Sequence, residues 1–228
     1  MTAQRFRVWF RKGERVRYIS HLDVLRAWER SLRRAELPLS YSQGFTPHPK
    51  LAFASPLPLG FVSEAELMDV TLDERVEPDE FVRRLSEQTT EDLAVIRVEE
   101  IALNSPAPQA AMLWCDYRLS LAVEPAEAQT AVAAFMALES LPFREDRGER
   151  VREYDLRKAC AWVHCRAIDG GTELEMRLQA DQNLTARPEA IVSALFPGQT
   201  SPLIARTNIV LDDHSVAREL WRRTGQYQ

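Results

Sequence analysis

Residues 18–60 read YISHLDVLRAWERSLRRAELPLSYSQGFTPHPKLAFASPLPLG, and the order of signals within them decides how the chain folds. Ser20-His21-Leu22-Asp23 has the form of a capping box. The Ser20 hydroxyl can accept from the Asp23 amide while the Asp23 carboxylate reaches back, and Ile19 and Val24 stand at the positions of a hydrophobic staple. Leu25, Trp28, Leu32 and Ala35 follow at spacings of three and four, an apolar helix face. Arg26, Arg30, Arg33 and Arg34 form a basic stripe on another face, and Pro38 stops the helix. The loop 39–50, LSYSQGFTPHPK, is rich in turn formers. Thr46 and His48 each precede a proline and are biased to extended geometry. Residues 51–54 then read as a short strand, and Pro56, Pro58 and Gly60 make it an edge strand or a bulge.

Upstream, residues 5–12 (RFRVWFRK) put Phe6, Val8 and Phe10 on one side and Arg5, Arg7, Trp9 and Arg11 on the other, a strand with one apolar face. Val16–Ile19 reads as extended. Downstream come a strand at Glu66–Leu72, a helix at Pro78–Thr89 and a strand at Leu93–Leu103. Residues 104–109 (NSPAPQ) read as a linker. The pattern then repeats: strand Trp114–Val123, helix Pro125–Glu139, the charged run Arg144–Lys158, strands Ala159–Ile168 and Thr172–Ala180 about an Asp-Gly-Gly turn, helix Arg187–Phe196 and strand Leu203–Leu211. The expected class is α+β, with two tandem ferredoxin-like (βαββαβ) domains, 1–104 and 110–228. The second ends in a polar tail with a helix around Val216–Trp221.

Formal net charge is −5 over 228 residues, which argues against an anionic partner until its distribution is read. Residues 1–50 hold eleven Lys/Arg against four Asp/Glu, a balance of +7, and the other 178 residues balance at −12. A basic segment on an acidic body fits an anionic partner; the competing reading is that it pairs with the acidic remainder. No apolar run is long enough to span a membrane. The N-terminus lacks a signal-peptide core, and Cys115, Cys160 and Cys165 form no CxxC pair, so a reducing, cytoplasmic setting is expected.

Several motifs carry a resemblance. Tyr18-Ile19-Ser20-His21-Leu22-Asp23, Arg33-Arg34-Ala35, Leu37-Pro38, Tyr41-Ser42-Gln43-Gly44-Phe45, Pro47-His48-Pro49-Lys50, Pro56-Leu57-Pro58-Leu59-Gly60 and Glu66 look like the signature of the radical SAM-linked protein family. That bacterial family is uncharacterised, and its members occur fused to, or encoded beside, a radical SAM protein. The resemblance is specific over residues 5–100 and thinner beyond, where Tyr154-Asp155-Leu156-Arg157 matches best. It implies an accessory role. This chain has no CxxxCxxC, so an iron–sulfur cluster and S-adenosylmethionine would belong to the radical SAM partner, with no cofactor in this chain. The tandem plan also resembles CRISPR RNA-processing endonucleases, at the level of fold alone.

The candidate site lies within residues 18–60. Arg33, Arg34 and Lys50 suit phosphates, and Tyr41 and Phe45 suit stacking on bases, a combination that fits single-stranded RNA. The competing reading has Phe45 plugging the core beneath the loop and the arginines on a solvated face. His48, between two prolines, and His21, at the first helical position, are candidate catalytic groups. Asp23 reads as a cap before it reads as a catalyst. His21, His48 and Asp23 match no standard metal spacing, and no metal is expected. An Asp155–Arg157 pair is a further possibility in the second domain. The expected function is an accessory module binding RNA or another anionic substrate, without turnover of its own. The alternatives are a metal-independent RNA endonuclease or related phosphodiester enzyme, and a purely structural protein-interaction domain.

Overall fold

The computed structural model describes residues 3–146 and 151–212. The tail helix expected at Val216–Trp221 lies outside them. The described chain is a mixed α/β protein in two compact units, one of residues 3–112 with 211–212, the other of the described residues between 113 and 210.

In the first unit the elements run β1 (Gln4–Lys12), α1 (His21–Arg34), β2 (Leu51–Phe53), β3 (Val62–Leu72), α2 (Pro78–Ser86), β4 (Val95–Ile101) and the short α3 (Pro108–Ala111). The strands lie side by side in the order β4-β1-β3-β2, each antiparallel to its neighbour. Directly opposed residues share a face, so Phe6↔Val70, Val8↔Met68 and Phe10↔Glu66 set the register of the inner surface. Phe6, Val8, Phe10, Met68, Val70 and Leu72 are buried there against Val24, Trp28 and Leu32 of α1 and Phe81 and Leu85 of α2. The Phe6 and Phe81 rings lie 4.4 Å apart between centroids. The odd-numbered side of β1 is not solvated as the alternation implied: Arg7 and its partner Asp69 are both buried.

The second unit runs β5 (Met112–Leu121), α4 (Pro125–Ala137), β6 (Pro142–Asp146), β7 (Val151–Asp155), β8 (Cys160–Ile168), β9 (Gly171–Gln179), α5 (Pro188–Leu195) and β10 (Ile204–Leu211). Its strand order is β10-β5-β9-β8, with β6 and β7 forming a separate antiparallel pair. Leu119, Leu174, Met176 and Leu178 of the sheet and Ala128, Val132, Phe135 and Ile191 of the helices are all buried. Cys115 and Cys160 are buried as well, and burial pushes the Cys160 thiol up to about 11, which makes it a small apolar filler and not a nucleophile.

Three local expectations are corrected, and one alternative is decided. Val16–Ile19 was expected to be extended; Val16 instead closes a 3-10 turn over residues 14–16, and residues 17–19 turn and bend into α1. Strand β3 begins at Val62, four residues before Glu66, because Ser63 still pairs with Lys12 beyond an irregularity in the ladder. Helix α2 stops at Ser86, short of Thr89. The charged run Arg144–Lys158, whose alternating charge reads as a solvated loop or an edge strand, takes the second form and supplies β7 and most of β6, with cross-strand partners such as Arg144↔Glu153 and Glu145↔Arg152 holding opposite charges side by side. Among the described residues no helix is long and apolar enough to cross a membrane.

Candidate functional site

Helix α1 starts as its sequence dictates. The Ser20 hydroxyl accepts from the Asp23 amide at 3.2 Å, and the Asp23 carboxylate accepts from the Ser20 hydroxyl at 2.7 Å and its amide at 3.3 Å. Those bonds hold the Asp23 carboxyl below its ordinary range. Asp23 is thereby engaged as a cap. The helix ends at Arg34, and Glu36 turns the chain with a positive φ of 51° before Pro38.

The loop after α1 is closed at its base. Tyr41 bridges Pro49, the Ser42 amide donates to the His48 carbonyl at 2.8 Å, the His48 amide donates to the Ser42 hydroxyl at 3.0 Å, and the Lys50 amide donates to the Ser40 carbonyl at 2.8 Å. Gly44 turns the tip at φ +137°, a conformation that favours glycine. Phe45, beside it, is fully exposed, which overturns the reading of Phe45 as a core plug. Tyr41 is exposed too. The loop is tied to the helix through Glu29, whose carboxylate lies 3.6 Å from His48 Nδ1 and 3.7 Å from Arg33. Arg26, Arg30 and Arg33 line the exposed side of α1, and Arg30 and Lys50 make no ion pair among the described residues. Arg34 turns elsewhere and donates to the Gln88 carbonyl at 3.4 Å.

His21 and His48 are not brought together. His48 pairs with Glu29, eight residues or about 12 Å of helix from His21. Among the described residues no group of three or more His, Cys, Asp or Glu side chains is placed to hold a metal ion. At the His21 end stands a second polar cluster. Lys12 and Glu66 are only 2% and 7% exposed. The Lys12 ammonium donates to the Arg17 and Ile19 carbonyls at 3.2 and 3.3 Å. The His21 ring meets Phe53 edge-on with centroids 5.3 Å apart. Burial lowers its pKa, Glu66 pulls it up and Lys12 pushes it further down.

Asp155 and Arg157 do not form the pair considered for them. Asp155 accepts from the Ser140 hydroxyl at 2.6 Å, the Leu141 amide at 3.0 Å and the Lys158 amide at 3.1 Å, closing the base of the β6–β7 hairpin. Arg157 donates instead to the Met136 and Cys160 carbonyls. The Ser140 bond, then the Leu141 bond, hold the Asp155 carboxyl far below its ordinary range. A carboxyl depressed in the folded state adds stability above its unfolded pKa of about 4, and that contribution is lost as pH falls. Asp155→Asn is therefore expected to flatten the fall of melting temperature between about pH 5 and pH 2. An unchanged acid slope would show that the hairpin base does not use the charge.

A family model described as "Uncharacterized protein conserved in bacteria (DUF2344)" matches residues 5–188. The chain belongs to this family. No curated protein matches it in sequence. Among solved structures it is similar to a chain of one titled "Crystal Structure of a Cbf5-Nop10-Gar1 Complex", with a TM-score of 0.50 and 10% identity. The match covers 97% of this chain and 57% of that one, so the DUF2344 chain spans little more than half of its neighbour's length. At that identity the likeness concerns the fold alone.

In this DUF2344 member the sequence motifs do not include Lys12 and include Glu66 only as a motif position. A signal for both was present. Lys12 continues the series Phe6, Val8, Phe10, and Glu66 precedes Met68, Val70 and Leu72 at the same spacing of two, so each places a charge on the inner face. The charge excess of the first fifty residues is partly spent within the unit: Arg5 and Arg7 on Asp69, Lys12 on backbone carbonyls, Arg33 on Glu29.

Proposed function

We propose that this DUF2344 protein is an RNA-binding accessory module that presents single-stranded RNA to a radical SAM enzyme. The observation that carries the reading is Phe45, an aromatic ring held fully in solvent at the tip of a loop whose base is closed by backbone bonds. A large exposed ring on a braced loop has no packing reason to be there and gains stability only when something stacks on it. Tyr41 and Lys50 of the same loop, and Arg26, Arg30 and Arg33 of the helix to which Glu29 ties it, are exposed aromatic and cationic groups of the kind that grip unpaired bases and their phosphates. The radical SAM partner rests on the signature motifs, and the iron–sulfur cluster and S-adenosylmethionine would sit in that partner. The strand order β4-β1-β3-β2, and β10-β5-β9-β8 in the second unit, supports reading each unit as ferredoxin-like. The unpaired cysteines support a cytoplasmic setting.

Fluorescence anisotropy with a labelled single-stranded RNA tests the reading. Affinity is expected to fall steeply as salt rises, in proportion to the phosphates neutralised. Phe45→Ala is expected to weaken binding about 5- to 150-fold, since a base–aromatic stack is worth roughly 1–3 kcal/mol. Phe45 touches no core, so melting temperature should not change. Salt-independent binding, or equal affinity of the Phe45→Ala protein, would sink the proposal.

A further inference from the structure

Glu29 is out of place on a helix that grips a polyanion. It stands among Arg26, Arg30 and Arg33, and a carboxylate there repels the phosphates that those guanidinium groups attract. Its side chain is only 12% exposed and makes two contacts: Oε1 lies 3.6 Å from His48 Nδ1, and Oε2 lies 3.7 Å from Arg33 Nη2. Both distances exceed those of hydrogen bonds, so the attraction is one of charge. The Arg33 contact is one turn along the same helix and ties the helix to itself. The His48 contact joins α1 to the loop that carries Phe45.

A pull on His48 reaches the whole loop. Thr46 and His48 precede prolines, and Pro47 and Pro49 have a fixed φ, which leaves residues 46–49 few backbone freedoms. The His48 backbone is bonded to Ser42 both ways, its carbonyl accepting from the Ser42 amide at 2.8 Å and its amide donating to the Ser42 hydroxyl at 3.0 Å. The next residue, Pro49, is buried. The imidazole itself is 63% exposed, so packing does not hold it against the helix and the Glu29 carboxylate does. That attraction is at full strength when both ring nitrogens carry protons. The charged groups about the ring are Glu29 on α1, Arg33 sharing the same carboxylate, and Lys50 two residues along the loop.

We infer that Glu29 is the positioning residue of the RNA-gripping loop, drawing His48 onto α1 and so fixing where Phe45 meets a base relative to the helix arginines; the inference rests on the RNA reading above. Glu29 acts through His48 and makes no contact with RNA of its own. Its two effects on binding have opposite signs, and that makes the role measurable. Replacing the carboxylate by its uncharged isostere raises the positive charge of the face by one, so on charge alone RNA would bind more tightly. Releasing the loop lets Phe45 wander from the arginines, and the ordering of the loop is then charged against binding. The positioning role requires the second effect to win.

Fluorescence anisotropy of a labelled single-stranded RNA, read for the full-length protein and its Glu29→Gln variant at one salt concentration, decides the sign. At about pH 6, where an ordinary imidazole is largely charged, Glu29→Gln is expected to bind about two- to fivefold more weakly, the worth of an ion contact near the surface. At about pH 8 the loss should disappear, because the tether has lost its charge. His48→Gln alters an exposed side chain outside the core, so it keeps the test open should Glu29→Gln disturb the helix; it should lose about as much at about pH 6. The double variant should lose little more than either single one, since both break the same contact. Equal or tighter binding by Glu29→Gln at about pH 6, or losses that simply add, overturns the inference and leaves the RNA reading standing. A wild-type protein that binds no RNA overturns both.

Discussion

Asp69→Ala is expected to destabilise the protein by about 3–5 kcal/mol, a large share of the 5–15 kcal/mol available to a folded domain. Asp69 is buried in mid-β3 and serves two guanidinium groups at once. Arg5 Nη2 donates to it at 2.5 Å, and Arg7 donates through Nε at 2.8 Å and Nη2 at 3.1 Å. The same two arginines hold the segment after β4, donating to the Leu103, Ser105 and Pro106 carbonyls. Removing the carboxylate leaves Arg7 buried with an uncompensated charge, and that penalty exceeds the worth of the pair itself. Asp69→Asn should cost nearly as much, because it keeps the shape and loses the charge. Arg7→Leu combined with Asp69→Ala should cost less than the two single changes added together, since the double variant removes the more deeply buried arginine along with the carboxylate and leaves only Arg5 without its partner. Urea denaturation at constant slope reads all three. If Asp69→Ala moves the midpoint by less than about 1 kcal/mol equivalent, the pair is wetter than its burial indicates.

Asp69 also shows why the fold was legible and the charges were not. Strands and helices announce themselves by period, so β1, the Ser20 cap, α4 and the Asp-Gly-Gly turn at 169–171 were readable from residues close together in the chain. Arg7 and Asp69 are 62 residues apart, and their pairing follows from register, which no local window contains. The pairing of β6 with β7 is hidden for a related reason: Arg144 and Glu153 fit a solvated loop as well as an edge strand until they stand opposite each other. At the site, loop 41–50 and the α1 arginines were found because composition marks them. Lys12 carries no composition signal, and only its spacing from Phe6, Val8 and Phe10 places a cation on the buried side. Phe45 admits a core alternative from sequence because a phenylalanine is more often inside. Its exposure depends on where the closed loop points, which the spacing of prolines and glycine does not specify.

Trp28→Ala is the companion expectation for the helix that carries the site, with a loss of about 3–5 kcal/mol. Trp28 is buried at the centre of α1, its ring edge-on to Phe10 with centroids 4.8 Å apart, and it fills the space between helix and sheet with Leu32 and Val24. Truncation leaves a cavity that rigid β1 and β3 cannot close. The cost should reach function, because α1 presents Arg26, Arg30 and Arg33 on one side and holds the 41–50 loop through Glu29. RNA affinity is therefore expected to fall with stability in Trp28→Ala, whereas Phe45→Ala should lower affinity alone. Trp28→Phe separates volume from polarity. The indole Nε1 is buried with no hydrogen-bond partner among the described residues, and a desolvated donor of that kind costs about 1–3 kcal/mol. Phenylalanine removes that donor while keeping a ring against Phe10, so its penalty should be well under half that of alanine. Equal losses for Trp28→Phe and Trp28→Ala would mean that the indole N–H is satisfied in solution, by water or by a neighbour, and that the donor, as well as the ring, helps to seat the helix.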